Sequence, residues 1–149
     1  EAFTNYAKEI SSLVTRLLSL ISIGLGLEED FLLKKVGEQP RLRAQANFYP
    51  PCSDPELTMG LQEHTDFNAL TVLLQSEISG LQVNKDGKWI SVPCIPNAFV
   101  INLADQIEVC AIDVLFLAIF FTCHWCAFYT IIERILVSSL KTLRSNSYD

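Results

Sequence analysis

Positive charge and histidine are scarce in this sequence of 149 residues. Eleven lysines and arginines stand against 17 aspartates and glutamates, so the formal net charge is −6 at pH 7. A nucleic-acid-binding surface needs clustered basic side chains to neutralise phosphates, and the composition therefore argues against nucleic acid as a partner. The sequence contains two histidines, His64 and His124, so any histidine-based chemistry depends on these two positions.

The five cysteines are an odd number, which does not suit a secreted protein held together by paired disulfides. The first residues lack the basic and apolar leader that is typical of a signal peptide. We therefore expect reduced thiols and a cytoplasmic protein. The sequence begins at Glu1 rather than at a methionine, which suggests a fragment or a processed product.

Charged residues are absent from one long stretch, residues 114–132. Residues 110–149 carry three acidic and three basic side chains, so the whole acidic excess lies in residues 1–109. This abrupt shift in composition predicts a boundary. We divide the chain into a helical N-terminal segment at 1–40, a core at 41–109 and an atypical apolar tail at 110–149.

Helices are expected before strands. Apolar residues at three- and four-residue spacing predict an amphipathic helix over residues 4–23, ended by Gly24 and Gly26. The acidic run at 28–30 is expected to start a short second helix. Short antiparallel strands are predicted after that, with a hairpin turn at Asp86-Gly87, at residues 42–48, 70–74, 81–83, 89–90 and 99–103. This order predicts an α+β fold with a jelly-roll-like sheet.

His64 and Asp66 form an H-x-D pair. Residues i and i+2 of an extended segment point to the same face, so the imidazole and the carboxylate are expected to converge. They would supply two of the three ligands in the two-histidine, one-carboxylate triad that binds Fe(II). The simpler alternative is a surface histidine and aspartate in a loop, and the spacing alone does not decide between the two interpretations.

Further short motifs surround this pair, namely NFYPPC at 47–52, PEL at 55–57, GLQEHTD at 60–66, ALTVLLQ at 69–75, GLQV at 80–83, DGKW at 86–89 and NLADQIEV at 102–109. Together they resemble the plant Fe(II)- and 2-oxoglutarate-dependent dioxygenases, in particular the soluble branch that hydroxylates or desaturates flavonoids, alkaloids and related metabolites. The resemblance covers nearly all of residues 1–109. It implies Fe(II) as the metal, 2-oxoglutarate as cosubstrate, ascorbate as a supporting reductant and a small plant metabolite as substrate.

The resemblance also implies roles for individual residues. Carried over by position, it makes His64 and Asp66 the first two iron ligands. Asn47 and Tyr49 match positions that line the 2-oxoglutarate pocket, where the phenol of Tyr49 would act as a donor. An alternative for Tyr49 is a structural residue that caps the core. No further catalytic residue is implied.

The resemblance stops after Val109. In the family, the strand matching residues 106–109 leads to a distal histidine that completes the triad, and an Arg-x-Ser pair then binds the far carboxylate of 2-oxoglutarate. Neither follows Val109 here. His124 and Arg134 have comparable spacing but different neighbours, so we expect a coincidence. The prediction is an incomplete double-stranded β-helix (jelly roll) with impaired oxygenase activity. The alternative is an inert truncated product that associates with a membrane or a partner.

The tail at 110–149 admits more than one interpretation. An apolar and helical tail would pack against the unpaired strand edges, or the chain would aggregate. The favoured origin of these residues is a retained intron or a wrongly assigned 3′ end of the gene. A membrane-spanning helix over 114–132 is less favoured, although the uncharged stretch reaches the lower length limit for a span. Cys123 and Cys126 lack the further ligands of a zinc site and are expected to be inert thiols.

Overall fold

A computed structural model describes residues 1–37 and 41–112 and the backbone of residues 136–139. His124, Arg134, the Cys123 and Cys126 pair and the stretch 114–132 lie outside the described residues, so the predictions made for them stay predictions. Among the helices that are described, none is both long and apolar enough to cross a membrane.

Two helices open the chain, and a third follows the last strand of the core. Helix α1 spans Ala2–Gly24 and helix α2 spans Phe31–Val36. Residues 105–112 are also helical and are called α3. The amphipathic helix predicted over residues 4–23 is therefore confirmed. The short second helix is confirmed too, but the acidic run at 28–30 precedes it, because Asp30 is its N-cap residue.

The strands of the described residues form two antiparallel sheets. The four-stranded sheet has the order β1 (Leu61–His64), β6 (Leu136–Ser139), β3 (Leu81–Lys85) and β4 (Lys88–Ser91). The second sheet pairs β2 (Leu70–Leu74) with β5 (Phe99–Leu103). The predicted strands at 70–74, 81–83, 89–90 and 99–103 are thereby confirmed, and so is the α+β arrangement of helices before antiparallel strands.

The turn between β3 and β4 is the predicted hairpin. Asp86 has φ of 53° and Gly87 has φ of 75°, so both central residues adopt the left-handed conformation. A two-residue hairpin loop of this kind matches the right-handed twist of the strands that it joins. Asp-Gly is one of the few dipeptides that enters this conformation at low cost, which is why the sequence signal was reliable here.

One predicted strand is wrong, and a strand that the family resemblance implied is not formed. Residues 41–50 contain no regular secondary structure, and Phe48 in this segment is 86% exposed. A strand needs a neighbour for its backbone groups, and within the described residues no strand pairs with this segment. Residues 106–109 are helical rather than extended, because they belong to α3.

The hydrophobic core lies where the three helices meet. Leu18 of α1, Leu32 of α2 and Ile107 of α3 pack together and are at most 1% exposed. Partly buried residues of β2 and β5, Leu70 and Leu103, pack against this cluster. Burial of one such side chain contributes about 1.5–3 kcal/mol to folding. The core therefore joins the N-terminal helices to the β2–β5 sheet through α3.

One strand of the tail completes the four-stranded sheet. The backbone of β6 lies between β1 and β3 and is antiparallel to both, with Val137 opposite His64 on one side and opposite Val83 on the other. The prediction that the tail packs against unpaired strand edges is confirmed for these four residues. The expected helical conformation of the tail is wrong for the same residues, since they are extended.

Ser22 links the first two helices, and its removal is expected to destabilise the protein. The buried hydroxyl donates to the carbonyl oxygen of Leu18 at 2.9 Å and accepts from the amide of Leu32 at 3.2 Å. Ser22→Ala leaves that buried amide without its partner, so we expect a loss of about 1–2 kcal/mol in the free energy of unfolding. Ser12→Ala is the matched control, because Ser12 is exposed on the same helix. Equal denaturation midpoints for the two variants, measured by circular dichroism in urea, would contradict this role of Ser22.

A second prediction concerns β6. Ser138 pairs with Gln82 in the interior of the four-stranded sheet. Proline removes a backbone donor and does not fit in a strand with neighbours on both sides. Ser138→Pro is therefore expected to lower the free energy of unfolding by about 2 kcal/mol or more. Ser138→Ala keeps the backbone amide and is expected to stay close to the parent in urea denaturation. A proline variant as stable as the alanine variant would show that β6 does not support the sheet in solution.

Candidate functional site

The structure brings His64 and Asp66 together at the end of β1. His64 is the last residue of that strand, and Asp66 lies two residues further along in the loop to β2. The imidazole Nε2 and the carboxylate Oδ1 are 3.6 Å apart, and the side chains are 38% and 21% exposed. The pair is therefore accessible from solvent, and its two polar atoms face each other.

The hydrogen bond on the other side of the ring determines which nitrogen is free. His64 Nδ1 lies 2.9 Å from the backbone carbonyl oxygen of Gln62. A carbonyl oxygen can only accept, so Nδ1 carries the proton in this bond. In the neutral imidazole, Nε2 is then the unprotonated nitrogen, and it lies 3.6 Å from Oδ1 of Asp66. Metal-binding histidines are commonly oriented in this way by a carbonyl group.

The unprotonated Nε2 of a neutral imidazole and the carboxylate Oδ1 are both electron-pair donors, so together they can bind a cation. The distance between the two atoms is 3.6 Å, which exceeds that of an ordinary hydrogen bond. A metal ion would take the place of a proton between them. Imidazole nitrogen and carboxylate oxygen are donors that Fe(II) accepts, so the chemistry of the pair fits the metal that the resemblance implies.

A third ligand is absent from the part of the chain that the structure describes. No group of three or more histidine, cysteine, aspartate or glutamate side chains able to hold a metal occurs there. On the neighbouring strand β6, the residue whose Cα lies opposite that of His64 is Val137, and valine has no atom that binds a metal. Within the described residues, the candidate site therefore consists of two side chains, His64 and Asp66, from one short segment.

Asn102 contacts this pair, and the sequence analysis did not identify it. Its side-chain amide donates to Oδ2 of Asp66 at 3.4 Å, and the residue is 9% exposed. The sequence feature that could have indicated Asn102 is its position as a polar residue in the apolar strand β5, between Ile101 and Leu103. Buried amides need hydrogen-bond partners, so such a residue indicates a polar group nearby, although the sequence does not say which group.

The two residues assigned to 2-oxoglutarate lie in the irregular segment before β1. Asn47 is exposed, and its side-chain oxygen accepts a hydrogen bond from Gln45 at 2.8 Å. Tyr49 is half-buried. A groove of about 510 Å³ lies elsewhere, between α2 and α3, and its lining includes Leu32 and Ile107 but neither His64 nor Asp66.

Comparisons with known proteins identify a family. The family model of the 2OG-Fe(II) oxygenase superfamily matches residues 41–114. The protein DMR6-like oxygenase 1 of Arabidopsis thaliana is 48% identical over 113 residues, which are 76% of this chain and 32% of that protein. A leucoanthocyanidin dioxygenase of Petunia hybrida is 44% identical over 110 residues, 72% of this chain and 26% of that protein. The chain thus spans about a third or less of the length of these relatives.

A solved structure supports the same relationship. The crystal structure of JOX2 in complex with 2OG, Fe and JA superimposes with a TM-score of 0.69 and 28% sequence identity, covering 91% of this chain and 36% of that one. The two antiparallel sheets described above correspond to part of the jelly roll of such oxygenases. The chain belongs to the plant Fe(II)/2-oxoglutarate-dependent oxygenases of the 2OG-Fe(II) oxygenase superfamily.

Proposed function

We propose that this chain carries the iron-binding part of an oxygenase that hydroxylates or desaturates a small plant metabolite. The observation that carries the proposal is the closeness of His64 Nε2 and Asp66 Oδ1, which lie 3.6 Å apart. Fe(II) bound there would couple the oxidative decarboxylation of 2-oxoglutarate, to succinate and CO2, to the oxidation of a C–H bond.

The residues of the chain have distinct tasks in this proposal. His64 binds the metal through Nε2, and the bond from Nδ1 to the carbonyl oxygen of Gln62 keeps the ring in the correct tautomer. Asp66 binds through Oδ1. Asn47 and Tyr49 are proposed to contact 2-oxoglutarate, which is supported by their place in the segment that matches the family model.

The activity is proposed to be weak in this chain. The described residues offer two metal ligands rather than three, and three are typical of a facial triad. No Arg-x-Ser sequence follows Val109, so the far carboxylate of 2-oxoglutarate would lack a bidentate, charge-assisted anchor. Both losses lower affinity, the first for the metal and the second for the cosubstrate.

The proposed substrate class and location rest on separate observations. One relative is named a leucoanthocyanidin dioxygenase and another was solved with JA, which favours a small organic molecule for this chain as well. Cys52, Cys94 and Cys110 are free thiols, as is usual in a reducing compartment, so we propose a cytoplasmic protein. Ascorbate as a supporting reductant is proposed from the family resemblance alone.

Metal binding by the pair is tested without turnover. Mn(II) serves as the probe, because it accepts the same nitrogen and oxygen ligands and does not oxidise readily. Asp66→Asn removes a ligand charge, and we expect it to weaken Mn(II) binding by at least about tenfold in a titration followed by electron paramagnetic resonance. Glu63→Gln is the matched control, because it removes the same charge from an exposed neighbouring residue. Equal affinities of the two variants would contradict the assignment of Asp66.

Turnover is tested by succinate formation from 2-oxoglutarate with Fe(II) and ascorbate. We expect slow, iron-dependent formation of succinate that His64→Ala abolishes and His124→Ala leaves unchanged. A loss of turnover in His124→Ala would show that the tail supplies a third ligand. If the soluble, folded chain forms no succinate at saturating Fe(II) and 2-oxoglutarate, the chain is not an oxygenase by itself, and the alternative of an inert or partner-binding product gains support.

A further inference from the structure

The loop that carries Asp66 is fastened to the start of α3 by backbone hydrogen bonds. The amides of Ala104, Asp105 and Gln106 donate to the carbonyl oxygens of residues 69, 66 and 68, at 3.1, 2.9 and 3.2 Å. The first amides of a helix have no acceptor within the helix. Here the loop supplies those acceptors, so the conformation of the loop and the position of α3 depend on each other.

Two side chains extend this connection. The hydroxyl of Thr65 donates to Oδ2 of Asp105 at 3.1 Å. Thr65 lies between the two proposed ligands in the sequence, so this hydrogen bond connects their segment to α3. The amide of Asn102, in β5, donates to Oδ2 of Asp66 at 3.4 Å. The two carboxylate oxygens of Asp66 therefore have different neighbours. Oδ2 accepts a hydrogen bond from Asn102, and Oδ1 lies beside Nε2 of His64.

We propose that Asn102 is a positioning residue, which holds the carboxylate of Asp66 in the orientation that binds a metal. This inference rests on the proposed function of the His64 and Asp66 pair. The terminal torsion of an aspartate has a broad preference, so the orientation of the carboxylate depends on its hydrogen-bond partners. A donor on Oδ2 restricts rotation about this torsion and leaves Oδ1 directed at Nε2.

The position of Asn102 supports a specific role rather than a general structural one. It lies in β5 opposite Thr71, between the apolar residues Ile101 and Leu103, where packing alone would favour another apolar side chain. A buried amide at such a place loses its hydration and requires a partner. Its partner here is the carboxylate of a proposed ligand. The bond is long for its type, so the expected effect lies at the lower end of those seen for such outer contacts.

The test compares Asn102→Leu with Asn68→Ala in the full chain. The leucine keeps the volume of the side chain and removes the donor, and Asn102→Ala replaces it if the leucine variant does not fold. Asn68 is the matched control, because its amide lies in the same loop and bonds Thr71 rather than Asp66. We expect the Asn102 variant to bind Mn(II) about tenfold more weakly, the Asn68 variant to stay within about twofold of the parent, and Asn102→Gln to recover part of the loss.

A metal-free measurement separates this inference from the proposed function. In the apo chain, the 13C resonance of the Asp66 carboxyl is expected to shift in Asn102→Leu and to stay in place in Asn68→Ala. An unchanged resonance overturns the inference, and so does parent-like Mn(II) affinity in a folded Asn102→Leu variant. If the parent chain binds Mn(II) no better than Asp66→Asn, the proposed function fails, and the resonance alone then decides whether Asn102 orients the carboxylate.

Discussion

The hydrogen bonds between the loop at 65–69 and the start of α3 connect the candidate site to the helical core. They satisfy helix amides that would otherwise lack acceptors, and they fix the segment that carries Asp66. Since Ile107 of the same helix packs against Leu18 and Leu32, the loop is connected through α3 to the core of the N-terminal helices. The geometry of the His64 and Asp66 pair therefore depends on packing between helices as well as on the strand that precedes it.

Strand β6 of the tail supplies backbone pairing, but the residue that it places opposite His64 cannot bind a metal. The backbone of β6 pairs with both β1 and β3, so two strands that would otherwise expose their backbone groups are joined in one sheet. Backbone pairing depends little on which side chains a strand carries, and even an atypical segment can supply it. Metal binding depends on the side chain, and the residue opposite His64 is Val137. Among the described residues, a fully paired strand β6 and a candidate site of only two side chains therefore occur together.

Most of the regular structure was predictable because its signals are local. The long helix follows from apolar spacing, and the β3–β4 hairpin follows from a dipeptide that enters the left-handed conformation. The two failures depend on distant contacts. Residues 42–48 alternate as a strand does, but the described structure pairs no strand with them. At 106–109 the apolar pattern is short, and the fourfold spacing of the buried residues Ile107 and Ala111 was the signal that favoured a helix.

The family and the two candidate ligands were predictable from the sequence, because the H-x-D spacing and the motifs around it are contiguous and can be recognised without a fold. Which atoms of these two side chains are available follows only from the folded structure. Gln62 engages Nδ1 of His64, and Asn102 engages Oδ2 of Asp66 from a position 36 residues away. The orientation of an imidazole and a carboxylate depends on hydrogen bonds in three dimensions, and a partner that is distant in the chain becomes visible only when the strands are placed.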